Sequence, residues 1–299
     1  MTYNDLLLSF TRRGFIDSVS RSAYRKYCRR NTGQKAVSPC EGGFNMHTVL
    51  GDSVDNKIAV YGVFEPGTSQ LITALAPMCE SLLDVGCNIG YFSCLFAVAQ
   101  PRGKIFAVDP NPKMIRRAQE NLQLNKIKNY CLLGYGIGYE RDRLQLNIPQ
   151  NRHSLSSFAY APTQGGTVES IECDILPLWE VIDSYNIEKT FLKIDTEGYE
   201  HDVLKSISPK QFQNIRYIMF EHSFENISKT VFSVEDILSL EIFKHYDLYK
   251  VNEESVPLLK KETVSQLLQS RQFNSNVLMV HHSQRNAFTQ LIKHNPALF

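Results

Sequence analysis

The spacing of apolar positions changes several times along the chain, and each change marks an element. Between residues 81 and 133, short apolar runs alternate with longer stretches whose apolar residues recur every three or four positions. The runs SLLDV at 81–85, KIFAV at 104–108 and YCLL at 130–133 predict strands. Residues 90–99 and 112–124 predict the helices between them. The second opens on Pro112, pre-set for a first helical turn, and carries Ile115, Ala118 and Leu122 on one stripe. Strand–helix–strand alternation with short connections such as Pro101-Arg102-Gly103 implies right-handed crossovers and a parallel sheet.

The rhythm differs outside this stretch. Short apolar pieces broken by Gly and Asx turns over 41–64, ending in Ile58-Ala59-Val60-Tyr61, predict a β-hairpin ahead of the core. Pro66-Gly67 introduces a helix over 69–78, with Leu71, Leu75 and Met78 on one face. Residues 140–189 interrupt the alternation with strands at 144–146 and 168–173 around a polar loop, 151–166, long enough to line a binding site. Alternation resumes with a strand at 191–194, a helix at 199–207 and a strand at 217–220. Late strands at 246–251 and 277–281, with a helix near 234–240, close the sheet. The expectation is an α/β protein with a Rossmann-like, mostly parallel sheet and a late antiparallel strand. Residues 1–60 form a helical and hairpin extension, and residues 61–299 the main domain with an insertion at 140–189.

Composition narrows the possibilities. The 299 residues are 43% hydrophobic and 21% charged, with a formal net charge of +1, which fits a globular protein and gives no overall field for a nucleic-acid partner. No run approaches the roughly 20 apolar residues that span a bilayer, so no membrane partner is expected. Leu6-Leu7-Leu8 lacks the preceding basic segment of a signal peptide. Seven cysteines without CxxC spacing read as reduced thiols of a cytoplasmic protein. One local exception is basic: Arg12, Arg13, Arg21, Arg25, Lys26, Arg29 and Arg30 face the single acid Asp17. This stretch reads either as a solvated helix face or as an arm that attracts an anionic substrate.

Three strand ends carry chemistry. Leu82-Leu83-Asp84-Val85-Gly86-Cys87-Asn88-Ile89-Gly90 is an apolar strand running into a glycine turn that opens a helix, the ligand corner of a doubly wound sheet. It lacks Gly-x-Gly-x-x-Gly, because Asn88 stands where a pyrophosphate needs glycine. A cofactor without phosphates, such as S-adenosylmethionine, has no such need. Gly86 and Gly90 leave room for it, and Asp84 is placed to hold its ammonium. The next strand ends in Val108-Asp109-Pro110-Asn111-Pro112, with Asp109 about 20 residues past the turn, where a nucleoside site places its ribose partner. The third, Lys193-Ile194-Asp195-Thr196-Glu197-Gly198-Tyr199-Glu200, sets three acids within six residues. Crowded acids do not stabilise a core, so they suggest a cleft with a cation nearby.

Together with Asn121-Leu-x-x-Asn125, these segments resemble the FkbM family of methyltransferases over roughly residues 60–225. The Lys-Ile-Asp-x-Glu-Gly stretch is the most telling part. The resemblance implies a class I methyltransferase sheet, S-adenosylmethionine as donor, and O-methylation in natural-product or carbohydrate pathways. It matches Asp84, Gly86, Asn88, Gly90 and Asp109 to the donor site, with Pro110 beside it, and Asp195 and Glu197 to the family's acidic loop. Cys87 stands where Ala or Gly is commoner, and Asp109 where Glu is common.

A hydroxyl acceptor needs a base, for which Asp195, Glu197, Glu221 and His222 are the candidates at neighbouring strand ends. Asp195 with Glu221 and His222 also leaves open an oxygen-rich divalent metal site, although the lysine of catechol-type enzymes is missing after Asp195. An acceptor that is already a carboxylate, such as a peptide C-terminus, needs no base. Glu65 and Thr68, just ahead of the core, are placed to reach the cofactor head, and His153, Ser154, Ser156, Ser157 and Tyr160 to line the acceptor pocket. The rival functions are an NAD-dependent oxidoreductase on a similar sheet and a catalytically silent S-adenosylmethionine-binding or partner-binding domain.

Overall fold

A computed structural model describes residues 26–149, 156, 158, 168–223, 233–252, 260–269 and 274–295. The chain begins with a hairpin, β1 (Lys35–Cys40) and β2 (Phe44–Val49), followed by helices α1 (Ser53–Tyr61) and α2 (Pro66–Leu75). The alternating region comprises β3 (Ser81–Val85), α3 (Tyr91–Ala99), β4 (Lys104–Val108), α4 (Pro112–Leu124) and β5 (Tyr130–Leu133). Then come β6 (Gly136–Gly138), β7 (Asp142–Pro149), β8 (Val168–Pro177), α5 (Leu178–Tyr185), β9 (Thr190–Ile194) and α6 (Glu200–Lys205). The remaining elements are β10 (Ile215–Ser223), α7 (Val234–Leu238), β11 (Tyr246–Lys250), β12 (Lys260–Glu262), α8 (Val264–Gln269), β13 (Asn274–His281) and α9 (Arg285–His294).

Eight strands form one sheet in the order β12-β11-β13-β10-β9-β3-β4-β5. The five from β10 to β5 are parallel, and β13 runs antiparallel between β10 and β11. The chain enters at β3, winds outward through β4 to β5, then returns to β9 and winds the other way. The strand order therefore reverses between β3 and β9, and a sheet of this kind binds ligands at the carboxyl ends beside that reversal. One face packs Leu82, Ile105, Phe191 and Met219 under α2, α3, α4 and α9. The other packs Leu83, Phe106, Leu192 and Phe220 under α5, α6 and α8. Sheet positions alternate strictly between the two cores, as the two-residue strand period requires.

The segment 53–61 is a helix, where its apolar run predicted a strand. Asp52 caps it by accepting from the Val54 N–H at 3.0 Å, and Gly62 closes it in the left-handed region at φ 69°. Its three consecutive apolar residues are buried on two sides. Ile58 enters the main core, while Ala59 and Val60 pack with Cys28 and Leu50. The hairpin lies upstream, over 35–49. The interruption after β5 is a second sheet of order β6-β8-β7, and most of the polar loop 151–166 lies outside the described residues. Of the basic stretch, only Lys26, Arg29 and Arg30 fall among the described residues.

The hairpin is attached to the main domain by one stripe of α4. Asn121 is fully buried; its Oδ1 accepts from the His47 N–H at 2.7 Å and its Nδ2 donates to the Ile89 carbonyl at 2.8 Å. Asn125 accepts from the Asn45 N–H at 2.8 Å and donates to the Asn45 carbonyl at 2.7 Å. Arg117 grips the buried Asp55 carboxylate with both terminal nitrogens, and Asp55 in turn accepts from the Val49 N–H at 2.8 Å. Asn121 thus ties the β2 backbone to the turn after β3. Asn121→Ala leaves a buried N–H and a buried carbonyl unpaired and is expected to cost about 2 kcal/mol or more, against about 1 kcal/mol or less for Asn125→Ala, whose contacts with Asn45 are exposed. Urea denaturation of the two variants checks the ranking; equal losses would contradict this account of the joint.

Candidate active site

A cleft of about 660 Å³ opens at the carboxyl ends of β3, β4 and β9. Its base is the turn after β3. Gly86 and Cys87 donate to the Val108 carbonyl at 2.9 and 3.0 Å, and the Asp195 N–H donates to the Val85 carbonyl at 2.9 Å, which draws three strand ends together. Gly86 adopts φ 79°, and a side chain on it would collide with the Asp195 carbonyl, so only glycine fits at this crossing point.

Asp109 lies across this turn, buried yet lining the cleft. Its Oδ2 accepts from the Asn88 N–H at 2.9 Å and its Oδ1 from the Asn111 N–H at 2.8 Å. A carboxylate offers about four lone-pair sites, so each oxygen keeps one for the two hydroxyls of a ribose. Burial pushes the Asp109 pKa up to about 7, against the pull of those two N–H donors. Pro110 and Met114 continue the wall beside Tyr135, Gly136 and Ile137, flat and apolar enough for a base.

The acidic stretch divides its work. Lys193, only 3% exposed, points to the same face of the sheet as its register partner Asp84; its ammonium sits 2.9 Å from Asp195 Oδ2 and 4.6 Å from the centre of the Phe92 ring. Glu200 is fully buried and accepts from the Thr196 N–H, the Thr196 hydroxyl and the Gly198 N–H at 2.8–3.2 Å, which fixes the shape of the loop. Glu197 remains to line the cleft, opposite Glu221 at the end of β10. Burial, then the charge of Asp195, pushes both carboxylates well above the usual range, so this acidic end retains protons at neutral pH. Glu65, Asn88 and Glu197 all hold left-handed backbone at φ 43°, 50° and 54°, and all three line the cleft. Non-glycine residues in that region carry strain that gathers at functional sites.

Four expected site residues, Asp84, Thr68, Gly90 and His222, lie outside the cleft lining. Asp84 does not line the cleft. It shares a sheet face with Leu82, is buried against α3, and accepts from the Ser93 hydroxyl at 2.7 Å, so it balances Lys193 from beneath and is turned away from a bound ammonium. Thr68 is fully buried behind Glu65; the Asn276 side-chain amide donates to both, at 2.8 Å to Thr68 and 3.0 Å to Glu65. His222 follows Glu221 by one residue and so faces the other side of the sheet. There it sits against the Leu267 carbonyl at 3.2 Å and the ring of His201, and burial lowers its pKa to about 4. The grouping of Asp195, Glu221 and His222 proposed for a metal is therefore not assembled, and among the described residues no three His, Cys, Asp or Glu side chains could hold one. Gly90 packs against Ala118 and caps α3, shaping the turn from behind. Of the polar loop, Ser156 reaches the cleft, joined by Phe158; His153, Ser154, Ser157 and Tyr160 lie outside the described residues.

Sequence reasoning missed Lys193 as a site residue, as well as the contributions of Lys57, Phe64 and Phe92; Arg29, from the basic stretch read as a possible arm, also lines the cleft. A lysine inside the apolar run Phe191-Leu192-Lys193-Ile194 was the available signal.

The cleft suits a cofactor that is cationic and carries a ribose but no phosphate. Its acids would repel a pyrophosphate, and Asn88 occupies the turn where one would approach. A mostly parallel sheet with an antiparallel strand beside β10, a glycine turn at the strand-order reversal and a ribose-gripping acid on the next strand define a class I methyltransferase. The family model for the methyltransferase FkbM domain matches residues 84–248, more than half of the chain. The chain belongs to the FkbM methyltransferase family.

Individual relatives are distant. The chain is 24% identical over 168 residues to Methyltransferase sdnD of Sordaria araneosa, covering 47% of this chain and 65% of that protein. It is 33% identical over 92 residues to the tRNA (guanine(37)-N(1))-methyltransferase Trm5b of Pyrococcus abyssi, covering 30% and 27%. The crystal structure of Methyltransferase FkbM from Methylobacillus flagellatus aligns at 12% identity with a TM-score of 0.41, covering 87% of this chain and 59% of that one. The chain thus spans less than two thirds of the length of each.

Two outcomes test the site. A ribose bound at Asp109 would be held more strongly by the ionised carboxylate, so affinity for S-adenosylhomocysteine should rise as pH increases through about 7, and Asp109→Asn should flatten that rise. Calorimetry between pH 6 and 8 reads both; a pH-independent wild-type affinity would remove Asp109 from the ribose. Lys193→Met strands the buried Asp84 and leaves the part-exposed Asp195 unpaired, with an expected stability loss of about 3 kcal/mol in urea denaturation.

Proposed function

We propose that the chain transfers the methyl group of S-adenosylmethionine to the oxygen of a neutral hydroxyl on a small acceptor of natural-product or carbohydrate type. When bound, the donor supplies a methyl carbon activated by its sulfonium. The groove from the Gly86 turn to Asp109 and Pro110 would hold the adenosyl part, with Glu65 beside the amino-acid head. The acceptor would enter over Glu197 and Glu221.

The observation that carries this reading is the pair of cleft carboxylates, Glu197 and Glu221, whose pKa values burial and like charge push upward. A hydroxyl must lose its proton as its oxygen takes the methyl, and a base whose pKa lies nearer the operating pH does this best. Asp195 is less suited, because the Lys193 ammonium already neutralises it at 2.9 Å. Electrostatics also separates the two acceptor classes. A carboxylate acceptor needs no base and would meet the negative charge of Glu65, whereas a hydroxyl makes use of the proton-accepting Glu197–Glu221 pair. The nicotinamide alternative falls with the FkbM match and the phosphate-hostile turn.

The remaining work of the chain is positioning. Phe64, Phe92 and Tyr91 form a cluster in the cleft wall with ring centres 5.2–6.0 Å apart, which would restrict the side from which an acceptor oxygen can approach. Mass spectrometry with labelled S-adenosylmethionine and a panel of hydroxyl, carboxylate and amine acceptors tests the reaction. Turnover should favour hydroxyls and climb with pH as the Glu197–Glu221 pair loses its protons. Replacing both residues with glutamine should lower kcat about a hundredfold or more and abolish the climb. Undiminished turnover in the double variant would reject the base assignment, and no methylated product from any acceptor would favour a silent binding domain.

A further inference from the structure

We propose that the acceptor carries an anionic group, a carboxylate or a phosphate, in addition to its reacting hydroxyl, and that Lys57 and Arg29 on the N-terminal wall of the cleft hold it. This inference rests on the methyl-transfer reading of the same site and names the class of acceptor.

The cleft is divided by charge. Its carboxylates, Glu65, Asp109, Asp195, Glu197 and Glu221, stand at the strand ends and at the start of α2. The opposite wall, built by α1 and the helical residues 26–30, contributes no carboxylate to the lining. It presents Arg29 and Lys57, with Ser53 and Asn56 between neutral surfaces. Neither cation is neutralised within the described residues. The one buried acid on that wall, Asp55, is consumed by Arg117 from α4. Unpaired cations facing into an otherwise acidic cleft make a binding surface for an anion, not a stabilising element of the fold.

Lys57 is also held in place. Its ammonium stands 5.3 Å from the centre of the Phe64 ring. Phe64 packs on Phe92 with ring centres 5.8 Å apart, and Phe92 carries the Lys193 ammonium at 4.6 Å. Two lysines therefore bracket a pair of aromatic rings. The inner one sits at Asp195, beside the reacting end, and the outer one sits at the mouth. The ring pair sets their separation, so an acceptor that lays its anion on Lys57 presents its hydroxyl toward Glu197 at a fixed remove. The wall cannot drift, because Asp55 and Asn121 lock it to α4 and to the donor turn.

The carboxylate of the donor is the competing occupant of these cations, and the experiment separates the two. The full chain is titrated calorimetrically with S-adenosylhomocysteine, then, once saturated, with glycerol, glycerate and glycerol 3-phosphate. These probes share a hydroxyl skeleton and differ in charge. The two anions should bind more tightly than glycerol, and the stronger of them identifies the group. Lys57→Glu and Arg29→Glu should each weaken that anion about tenfold, with S-adenosylhomocysteine affinity unchanged. Equal binding of all three probes, no binding of any, or anion binding that survives both reversals would overturn the proposal. A tenfold loss of S-adenosylhomocysteine affinity in Lys57→Glu would overturn it too, by assigning the cations to the donor. Failure of the wild-type chain to bind S-adenosylhomocysteine at all would sink the methyl-transfer reading instead.

Discussion

A single buried ammonium allows the rest of the site to exist. Lys193 lies beneath the floor of the cleft, with Asp195 at 2.9 Å and Asp84 beside it on the adjacent strand. Without it, the buried Asp84 carboxylate would be stranded in a low-dielectric interior, at a cost of several kcal/mol, and Asp195 at the cleft edge would lose its counter-charge. With it, the region is still short of positive charge, because Glu65 and Glu221 draw on the same ammonium and Glu197 and Glu200 crowd against those acids. That deficit has two outlets: protons retained on the glutamates, or a cation brought in from outside. A sulfonium is such a cation, and its arrival would release the protons that the glutamates hold. On the proposed reading, donor binding and base availability are two sides of one electrostatic balance.

Strain is concentrated at the same place. Glu65, Asn88 and Glu197 each hold a left-handed backbone that a non-glycine residue disfavours, and each faces the cleft from a different element. The surroundings determine these conformations. Asn276 holds Glu65, Asp109 holds the Asn88 N–H, and Glu200 holds the loop that contains Glu197. Each strained residue therefore has a rigid polar neighbour fixing its backbone or its side chain, which is how a site keeps its side chains aimed before a ligand arrives.

Much of this was legible in the sequence, and the exceptions have physical causes. The strands at 81–85, 104–108 and 130–133 and the helix at 112–124 were readable to the residue because glycine, proline and Asx breaks bound their apolar runs. The glycine turn and Asp109 were equally legible, since their meaning depends on spacing along the chain. What failed depends on which way a side chain points. Tyr217-Ile218-Met219-Phe220 is buried on both faces, so nothing in that run shows that Glu221 turns to the cleft and His222 away. Asp84 sits at the expected position, but its strand parity sends it under α3. The run Ile58-Ala59-Val60 looked like a strand because a helix wedged between two apolar surfaces loses its polar face. Lys193 stood in plain view inside an apolar strand and was passed over as part of a motif.

The stripe Arg117, Asn121 and Asn125 serves as a surrogate strand edge for β2. Four residues of helix advance about 6.0 Å, while two residues of antiparallel strand advance about 6.8 Å, so the two rulers agree at first and then drift apart. Asn125 meets Asn45 directly, and Asn121 meets His47 directly. By the third rung the accumulated mismatch is about 1.6 Å, and Arg117 reaches the Val49 amide only through Asp55 as a spacer. The joint works like a vernier scale, with two graduations in coincidence and the next bridged by an inserted acid. Its geometry caps the length of strand that a helix can hold in this way, and the hairpin ends where that coincidence is used up.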